Sequence, residues 1–294
     1  MNKNNEKQGL LALIPTPIGN REDITLRALR LLKEADLIAC EDTRHTGALL
    51  DYYGIHAPLI SNFEHNERTR EGQLLDAVRE GKRVCLVSDA GMPGISDPGA
   101  AVYQRCLEEG LPCTVLPGPS AGLTAYVASG LGDGTFLFLG FLPRKGAGRE
   151  KILSRLDHLP WTAVLYESPK RIKKTLEELG DRWPERDFVL CREWTKTFEE
   201  RIALKGKEAA KAPIVEKGEF VLLVGPAAES EAEEKWSLEK IKTLAEELES
   251  QGKSTKQIAR ELFLATGRSR NSLYQWLIHG KKGPLEKADQ EEKE

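Results

Sequence analysis

Three polar loops in this chain of 294 residues carry the side chains that could do chemistry. The longest is Ser88-Asp89-Ala90-Gly91-Met92-Pro93-Gly94-Ile95-Ser96-Asp97-Pro98-Gly99. Its glycines let the backbone approach a ligand, its prolines stiffen the path, and Asp89 and Asp97 can accept hydrogen bonds from ligand hydroxyls or amines. The second is Pro15-Thr16-Pro17-Ile18-Gly19-Asn20. The third, Glu41-Asp42-Thr43-Arg44-His45-Thr46, is six polar residues in a row, costly as core and natural in a cleft. There Glu41 or Asp42 can accept a proton and Arg44 can bind phosphate. The same residues also read as a helix start, with Asp42 or Thr43 as N-cap.

What these loops lack narrows their ligand. There is no G-x-G-x-x-G spacing and no G-x-x-x-x-G-K-[ST], which disfavours a dinucleotide or a nucleoside triphosphate. They suit a planar base, hydroxyls and a small zwitterion, held by backbone groups and packed on Ile18, Ile95 and Ala121; S-adenosylmethionine fits that description. Five cysteines stand singly, with no CxxC pair and no histidine at ligand spacing, so neither a disulfide framework nor a metal site is expected. The longest apolar runs are too short to span a bilayer and Met1 to Gln8 has no apolar signal core, so a cytoplasmic location is expected. The net charge is only −3, and any nucleic-acid contact must come from a local basic patch.

Strand-like runs at Leu10 to Ile14, Leu37 to Cys40, Leu59 to Ser61, Arg83 to Val87 and Thr114 to Leu116 must position the loops. Helical patterns at Thr25 to Ala35, Gly47 to Tyr53, Arg68 to Glu80 and Gly99 to Glu109 alternate with them. This alternation predicts an α/β fold with a doubly wound, mainly parallel sheet, whose ligands gather at the carboxyl ends of the strands. The turn Pro117-Gly118-Pro119-Ser120-Ala121 then leads to a second domain of mixed α+β character. Strands are expected at Thr135 to Phe141, Ala163 to Tyr166, Phe188 to Cys191, Glu200 to Leu204 and Phe220 to Val224. Helices are expected at Arg149 to His158 and Pro169 to Leu179. Two clusters end strands of this domain, Tyr166 to Arg171 and Arg192 to Lys196; with Arg144, Lys145 and Arg149 they offer a basic surface for a polyanion.

The expected division is 10–117, 118–226, an acidic linker at 227–236 and a helical unit at 237–282, with 1–9 and 283–294 as flexible tails. In the helical unit, Ser254 and Gln257 read as a capping box and Ser269 as a cap, giving three short helices that resemble a helix-turn-helix. Between Lys253 and Lys282 seven basic residues face one acid, Glu261, which favours nucleic-acid contact.

The runs TPIGN (Thr16 to Asn20), EDTR (Glu41 to Arg44), SDAGMPGISDPG (Ser88 to Gly99), PGPSA, YESPKR (Tyr166 to Arg171) and CREWTKTFEE (Cys191 to Glu200) occur in order over Leu10 to Gly225. They resemble the ribosomal RNA small-subunit 2′-O-methyltransferases that act on cytidine 1402 of 16S rRNA, a group similar in fold to the tetrapyrrole methylases. The resemblance implies a homodimer of two α/β domains with S-adenosylmethionine folded into the interdomain cleft. It implies that Pro17 and Ile18 line that cleft, that Asp89, Ala90, Gly91, Pro93 and Ile95 contact the methionine and ribose portions, and that Ser120, Ala121 and Tyr166 close it. Ser96 and Asp97 complete the loop, with Asp97 positioning the cofactor or bracing the turn. For transfer to a ribose hydroxyl, Glu41, Asp42 or Glu193 is the candidate base, assisted by Lys196 or Arg44, without a metal. Arg144, Lys145, Arg149, Arg171, Arg268 and Arg270 are the candidate contacts to 16S rRNA or the assembled small subunit. A methyltransferase of tetrapyrroles or other small molecules, and a helix-turn-helix regulator that binds an adenosyl ligand, are the alternatives.

Overall fold

In the computed structural model the described residues are 9–62, 67–227, 238–266 and 268–281. Position 228 onward in the expected linker, the tails 1–8 and 283–294, and Gly267 lie outside them. Two compact units make up the chain: Met1–Ala128 with Cys191–Glu200, and Ser129–Leu190 with Arg201–Glu294.

The first unit is built on five strands, β1 (Leu10–Ile14), β2 (Leu37–Cys40), β3 (Leu59–Ser61), β4 (Arg83–Val87) and β5 (Cys113–Val115), in the order β3-β2-β4-β1-β5. Every adjacent pair is parallel; Ile14 lies opposite Val87, and Leu13 opposite Val115. Alternate residues along each strand feed opposite cores, because successive side chains point to opposite faces. Ala12, Ile14, Ile38, Cys40, Cys85 and Val87 pack with Leu31 and Leu32 of α1 (Leu26–Lys33) and Leu50 of α2 (Thr43–Tyr52). Leu11, Leu13, Ala39, Val84 and Leu86 pack with Leu74, Leu75 and Val78 of α3 (Glu67–Arg79) and Val102 and Cys106 of α4 (Ala100–Glu108). Helices therefore cover both faces of a doubly wound sheet, and every strand leaves at the same edge.

The helix α2 begins four residues earlier than its apolar pattern predicts. The side chain of Asp42 accepts a hydrogen bond from the Arg44 N–H, so the polar EDTR run is itself the cap and first turn. After β5 the chain turns into α5 (Ala121–Ser129).

The second unit holds β6 (Phe136–Phe141), β7 (Thr162–Glu167), β8 (Asp187–Arg192), β9 (Glu200–Lys205) and β10 (Phe220–Val224), in the order β6-β7-β10-β8-β9. The β6–β7 pair is parallel and the β7–β10 pair antiparallel, which makes this sheet mixed. Its core joins Leu165, Phe188, Leu190, Phe220 and Leu222 to Leu153 and Leu156 of α6 (Ala147–Leu156) and Leu176 and Leu179 of α7 (Ile172–Arg182). The helix α7 starts at Ile172, not at Pro169, because Ser168 to Arg171 close a turn in which Ser168 O accepts from the N–H groups of Arg171 and Ile172.

Three helices, α8 (Leu238–Ser250), α9 (Thr255–Thr266) and α10 (Arg270–Ile278), share a core of Ile241, Ala245, Ile258, Leu262, Leu273 and Trp276. Ser269 caps α10 through the Ser272 N–H. At Ser254 the backbone N–H and the hydroxyl both donate to Gln257 Oε1, at 2.9 and 2.8 Å, the side-chain half of a capping box. Phe263 meets the ring of Trp161 at 5.3 Å between centroids, which anchors α9 beside the start of β7.

Candidate active site at the carboxyl edge of the parallel sheet

The three polar loops converge because their parent strands run parallel. Behind β1, Thr16 forms a two-way backbone bridge with Gly91, with both N–H···O bonds at 3.0 Å. Two buried hydroxyls lock it: Thr16 Oγ1 donates to Ser88 O and Ser88 Oγ donates to Gly91 O, each at 3.0 Å. Thr16 and Ser88 lie inside the motifs read from sequence, yet nothing in their spacing announces this bracing. The second link runs sideways, where Asp89 Oδ1 accepts the Asp42 N–H at 3.1 Å. Asp89 thus joins the β4 loop to the start of α2.

The 88–99 loop is a cradle of backbone. Gly91 and Gly94 both sit at φ +81 and Gly99 at φ +133, conformations that favour glycine. A Cβ on Gly91 would stand 3.2 Å from Ile18 Cγ2, and one on Gly99 would stand 2.9 Å from Leu86 Cδ2. Pro17, Ile18, Gly91 and Pro93 are buried, Asp89, Ala90 and Asp97 half-buried, and Ile95 and Ser96 exposed. Ser120 and Ala121, both half-buried, belong to the same unit, and Ser120 O takes the Thr124 N–H as α5 begins. A rigid, backbone-lined cradle whose charged side chains, Asp89 and Asp97, are both carboxylates fits an adenosyl amino acid better than a phosphate ligand.

A fourth segment joins this edge, and its position is not legible in the local sequence. Residues 193–199 link β8 to β9 and fold with the first unit. Their turn is strained: Glu193 has φ 50 and Thr195 has φ 65, an uncommon conformation that for a β-branched residue costs on the order of 1–3 kcal/mol. It is held by Lys196 N–H to Glu193 O at 2.9 Å and by Thr195 N–H to Glu199 Oε2 at 2.7 Å. Thr195 Oγ1 also accepts the Asn20 N–H at 3.0 Å. Glu193 and Lys196 form an ion pair of 3.0 Å, largely shielded from solvent. A β-carbon on Gly19 would collide with Lys196 Cγ at 2.5 Å and Thr195 Oγ1 at 2.6 Å. Glycine at position 19 is therefore the condition for this turn to seat on the TPIGN loop.

The carboxylates differ in their engagement. Asp42 caps α2 and pairs with Arg44 through Nε at 3.2 Å and Nη2 at 2.9 Å. The hydrogen bonds from Arg44 hold its carboxyl down to about 2, so it is a weak proton acceptor. Glu41 is exposed next to it.

Several sequence-predicted residues belong to the second unit. Tyr166 belongs to the second unit, where its ring meets Phe138 and Phe141 edge-on at 5.0 and 5.7 Å. Arg149, expected on a basic surface, is 6% exposed and its guanidinium is committed to Glu178 at 2.7 Å, Pro143 O at 2.9 Å and Thr175 Oγ1 at 3.5 Å. That expectation is corrected: Arg149 ties α6 to α7 and offers nothing to a polyanion. Arg171 is partly committed as well, donating to Leu142 O and pairing at 3.2 Å with the buried Glu167. Glu167 is in turn satisfied by Ser168 N–H and Thr175 Oγ1, so the YESPKR run closes an internal network. Arg144 and Lys145 are exposed, Arg270 is exposed on the first turn of α10, and Arg268 is half-buried just before it.

A parallel sheet with this edge, followed by a mixed sheet, is the architecture of a known enzyme family. The chain belongs to the tetrapyrrole (corrin/porphyrin) methylases, whose profile matches residues 10–211. Within that family it groups with proteins named Ribosomal RNA small subunit methyltransferase I. It is 44% identical to that of Halalkalibacterium halodurans over 235 residues, covering 79% of this chain and 81% of the relative. With that of Streptococcus pyogenes serotype M1 it shares 39% identity over 278 residues, 93% and 96% of the two chains. Among solved structures, uroporphyrin-III C-methyltransferase from Thermus thermophilus complexed with S-adenyl homocysteine is similar in fold. That likeness has a TM-score of 0.56 at 21% identity, over 74% of this chain and 97% of the other. The cobalt precorrin-4 methyltransferase CbiF has a TM-score of 0.53 at 20% identity, over 75% and 96%.

Proposed function

We propose that this protein is an S-adenosylmethionine-dependent methyltransferase of the small ribosomal subunit that methylates the ribose 2′-oxygen of cytidine 1402 in 16S rRNA, acting as a homodimer. The observation that carries the reading is the extent of the likeness. The alignment with the Streptococcus pyogenes relative covers 93% of this chain, a span reaching well beyond the 10–211 segment matched by the tetrapyrrole methylase family. A tetrapyrrole substrate leaves that additional similarity unexplained.

S-adenosylmethionine supplies an electrophilic methyl group on a sulfonium. The chain's part is to bind, align and deprotonate. Backbone groups of Asp89 to Ile95, with Pro17 and Ile18 behind them, hold the methyl donor, and the Thr16–Gly91 bridge keeps that wall rigid. Asp89 holds the ribose or amino group while its other link, to the Asp42 N–H, fixes the EDTR loop beside it. The proton of the acceptor hydroxyl goes to Glu41 or Glu193 rather than to Asp42, whose carboxyl is held at about 2. Lys196 and Arg44 supply positive charge for the flanking phosphates. Arg144, Lys145, Arg268 and Arg270 extend the contact along the RNA, whose phosphates dominate affinity.

The test is direct. Protein with labelled cofactor is offered small subunits lacking the modification, naked 16S RNA and uroporphyrinogen, and the RNA is digested to nucleosides. Label in 2′-O-methylcytidine from the segment containing position 1402 is the expected result. Label in a base, or in uroporphyrinogen alone, overturns it. Sedimentation of the purified protein tests the dimer.

A further inference from the structure

The basic excess of the C-terminal helices is not spread evenly once partners are assigned. Lys253 pairs with Glu261 at 3.4 Å and Lys281 with Glu249 at 2.7 Å. Lys256 and Arg270 have no ion pair among the described residues. These two cations line one groove of ≈ 410 Å³ between α9 and α10, together with Asn271 and Tyr274. Lys256 stands on the first turn of α9, Arg270 and Asn271 on the first turn of α10, and Tyr274 one turn further. Tyr274 is half-buried and packs against the three-helix core, so its ring is a fixed platform that loses little freedom when something stacks on it.

We propose that this groove is a subsite for one unstacked nucleotide of single-stranded RNA. The base stacks on Tyr274, the Asn271 carboxamide meets the base edge, and Lys256 and Arg270 hold the adjoining phosphates. The proposal rests on the RNA-substrate reading above and adds to it a defined contact within the C-terminal helices. Two cations flanking an aromatic ring and an amide are the chemistry of single-strand recognition, in which stacking and phosphate contacts combine. The volume lies in the range of about 300–1,000 Å³ that holds a small ligand. Duplex RNA keeps its bases stacked and is recognised instead by shape and by 2′-hydroxyl and phosphate contacts across its wide, shallow minor groove.

The experiment uses the full chain and a fluorescent single-stranded RNA of about ten nucleotides carrying 2-aminopurine, with matched duplex RNA and single-stranded DNA. Expected is quenching of 2-aminopurine on binding and a loss of affinity of about ten-fold in Tyr274→Ala, in line with measured base–aromatic stacking. Tyr274→Phe keeps the affinity. Lys256→Ala and Arg270→Ala, at exposed positions outside the core, each reduce the slope of log K on log salt by about 0.7. Melting temperature and S-adenosylhomocysteine affinity show that the variants are folded. Wild-type affinity and salt slope in both Lys256→Ala and Arg270→Ala overturn the subsite, even if wild-type protein methylates RNA. Tighter binding of duplex than of single strand overturns it as well. Failure of the wild type to methylate any RNA, by contrast, sinks the underlying function and is read in the separate activity assay.

Discussion

The backbone N–H of Asn20 donates to Thr195 Oγ1 at 3.0 Å, joining two loops 175 positions apart. Through this bond the strained turn carrying Glu193 and Lys196 is clasped to the TPIGN loop, next to the cradle proposed for the cofactor. The clasp requires that position 19 have no side chain.

Gly19→Ala tests it. The added methyl meets Thr195 Oγ1 and the Trp194 carbonyl as well as the flexible Lys196 stem, so the turn must move. Overpacking of this kind costs about 1–3 kcal/mol. Methyl transfer is expected to fall at least ten-fold while S-adenosylhomocysteine affinity, by calorimetry, changes less. Unchanged turnover would separate the 193–196 turn from catalysis.

Gly91→Ala addresses the cradle. At φ +81 an L-residue costs about 1–2 kcal/mol, and the new Cβ presses on Ile18 Cγ2 at 3.2 Å. Weaker cofactor binding is the expected primary effect, seen as a raised dissociation constant with little change in the affinity for RNA.

The pH dependence distinguishes the carboxylates. Asp42 has a folded pKa depressed to about 2 from 3.8, so its contribution to stability is fully present above the unfolded value and is lost as pH falls through about 2. Between pH 5 and 9 it is constantly ionised. An acid limb of the rate profile in that range is therefore expected to persist in Asp42→Asn. A limb abolished by Asp42→Asn alone would reassign the base.

Arg149 and Arg144 should separate folding from RNA contact. Arg149→Ala leaves Glu178 and Pro143 O without their donor and is expected to destabilise by about 1–3 kcal/mol, read in a denaturation midpoint. Affinity for RNA per folded molecule stays the same. Arg144→Ala should leave the midpoint unchanged and lower the salt dependence of RNA binding.

The cysteines offer a control on the core. Burial pushes the Cys85 and Cys106 thiols up to about 12, so both stay protonated and unreactive at pH 8. In native protein, thiol reagent should label the half-buried Cys113 well before either of them.

By itself the sequence determined the parallel sheet, since five short apolar runs alternating with amphipathic helices have few other ways to bury both faces. It also determined that the TPIGN, EDTR and SDAG loops share one edge, because parallel strands all end on the same side. The cap at Asp42 was readable as one of two meanings, and the helix pattern could not choose between them: capping and proton transfer call for the same residue type. What only the tertiary structure decided are the long-range pairings. Arg149 looks like any surface arginine until Glu178, 29 positions away, is brought against it. Lys253 and Lys281 are brought against acidic partners, whereas Lys256 and Arg270 make no ion pair among the described residues. Nothing in CREWTKTFEE indicates that its turn returns to Gly19. Helical and strand periodicity is a property of neighbours along the chain, whereas the partner of a charge or the limit on a glycine is set by whatever the fold carries to that point in space.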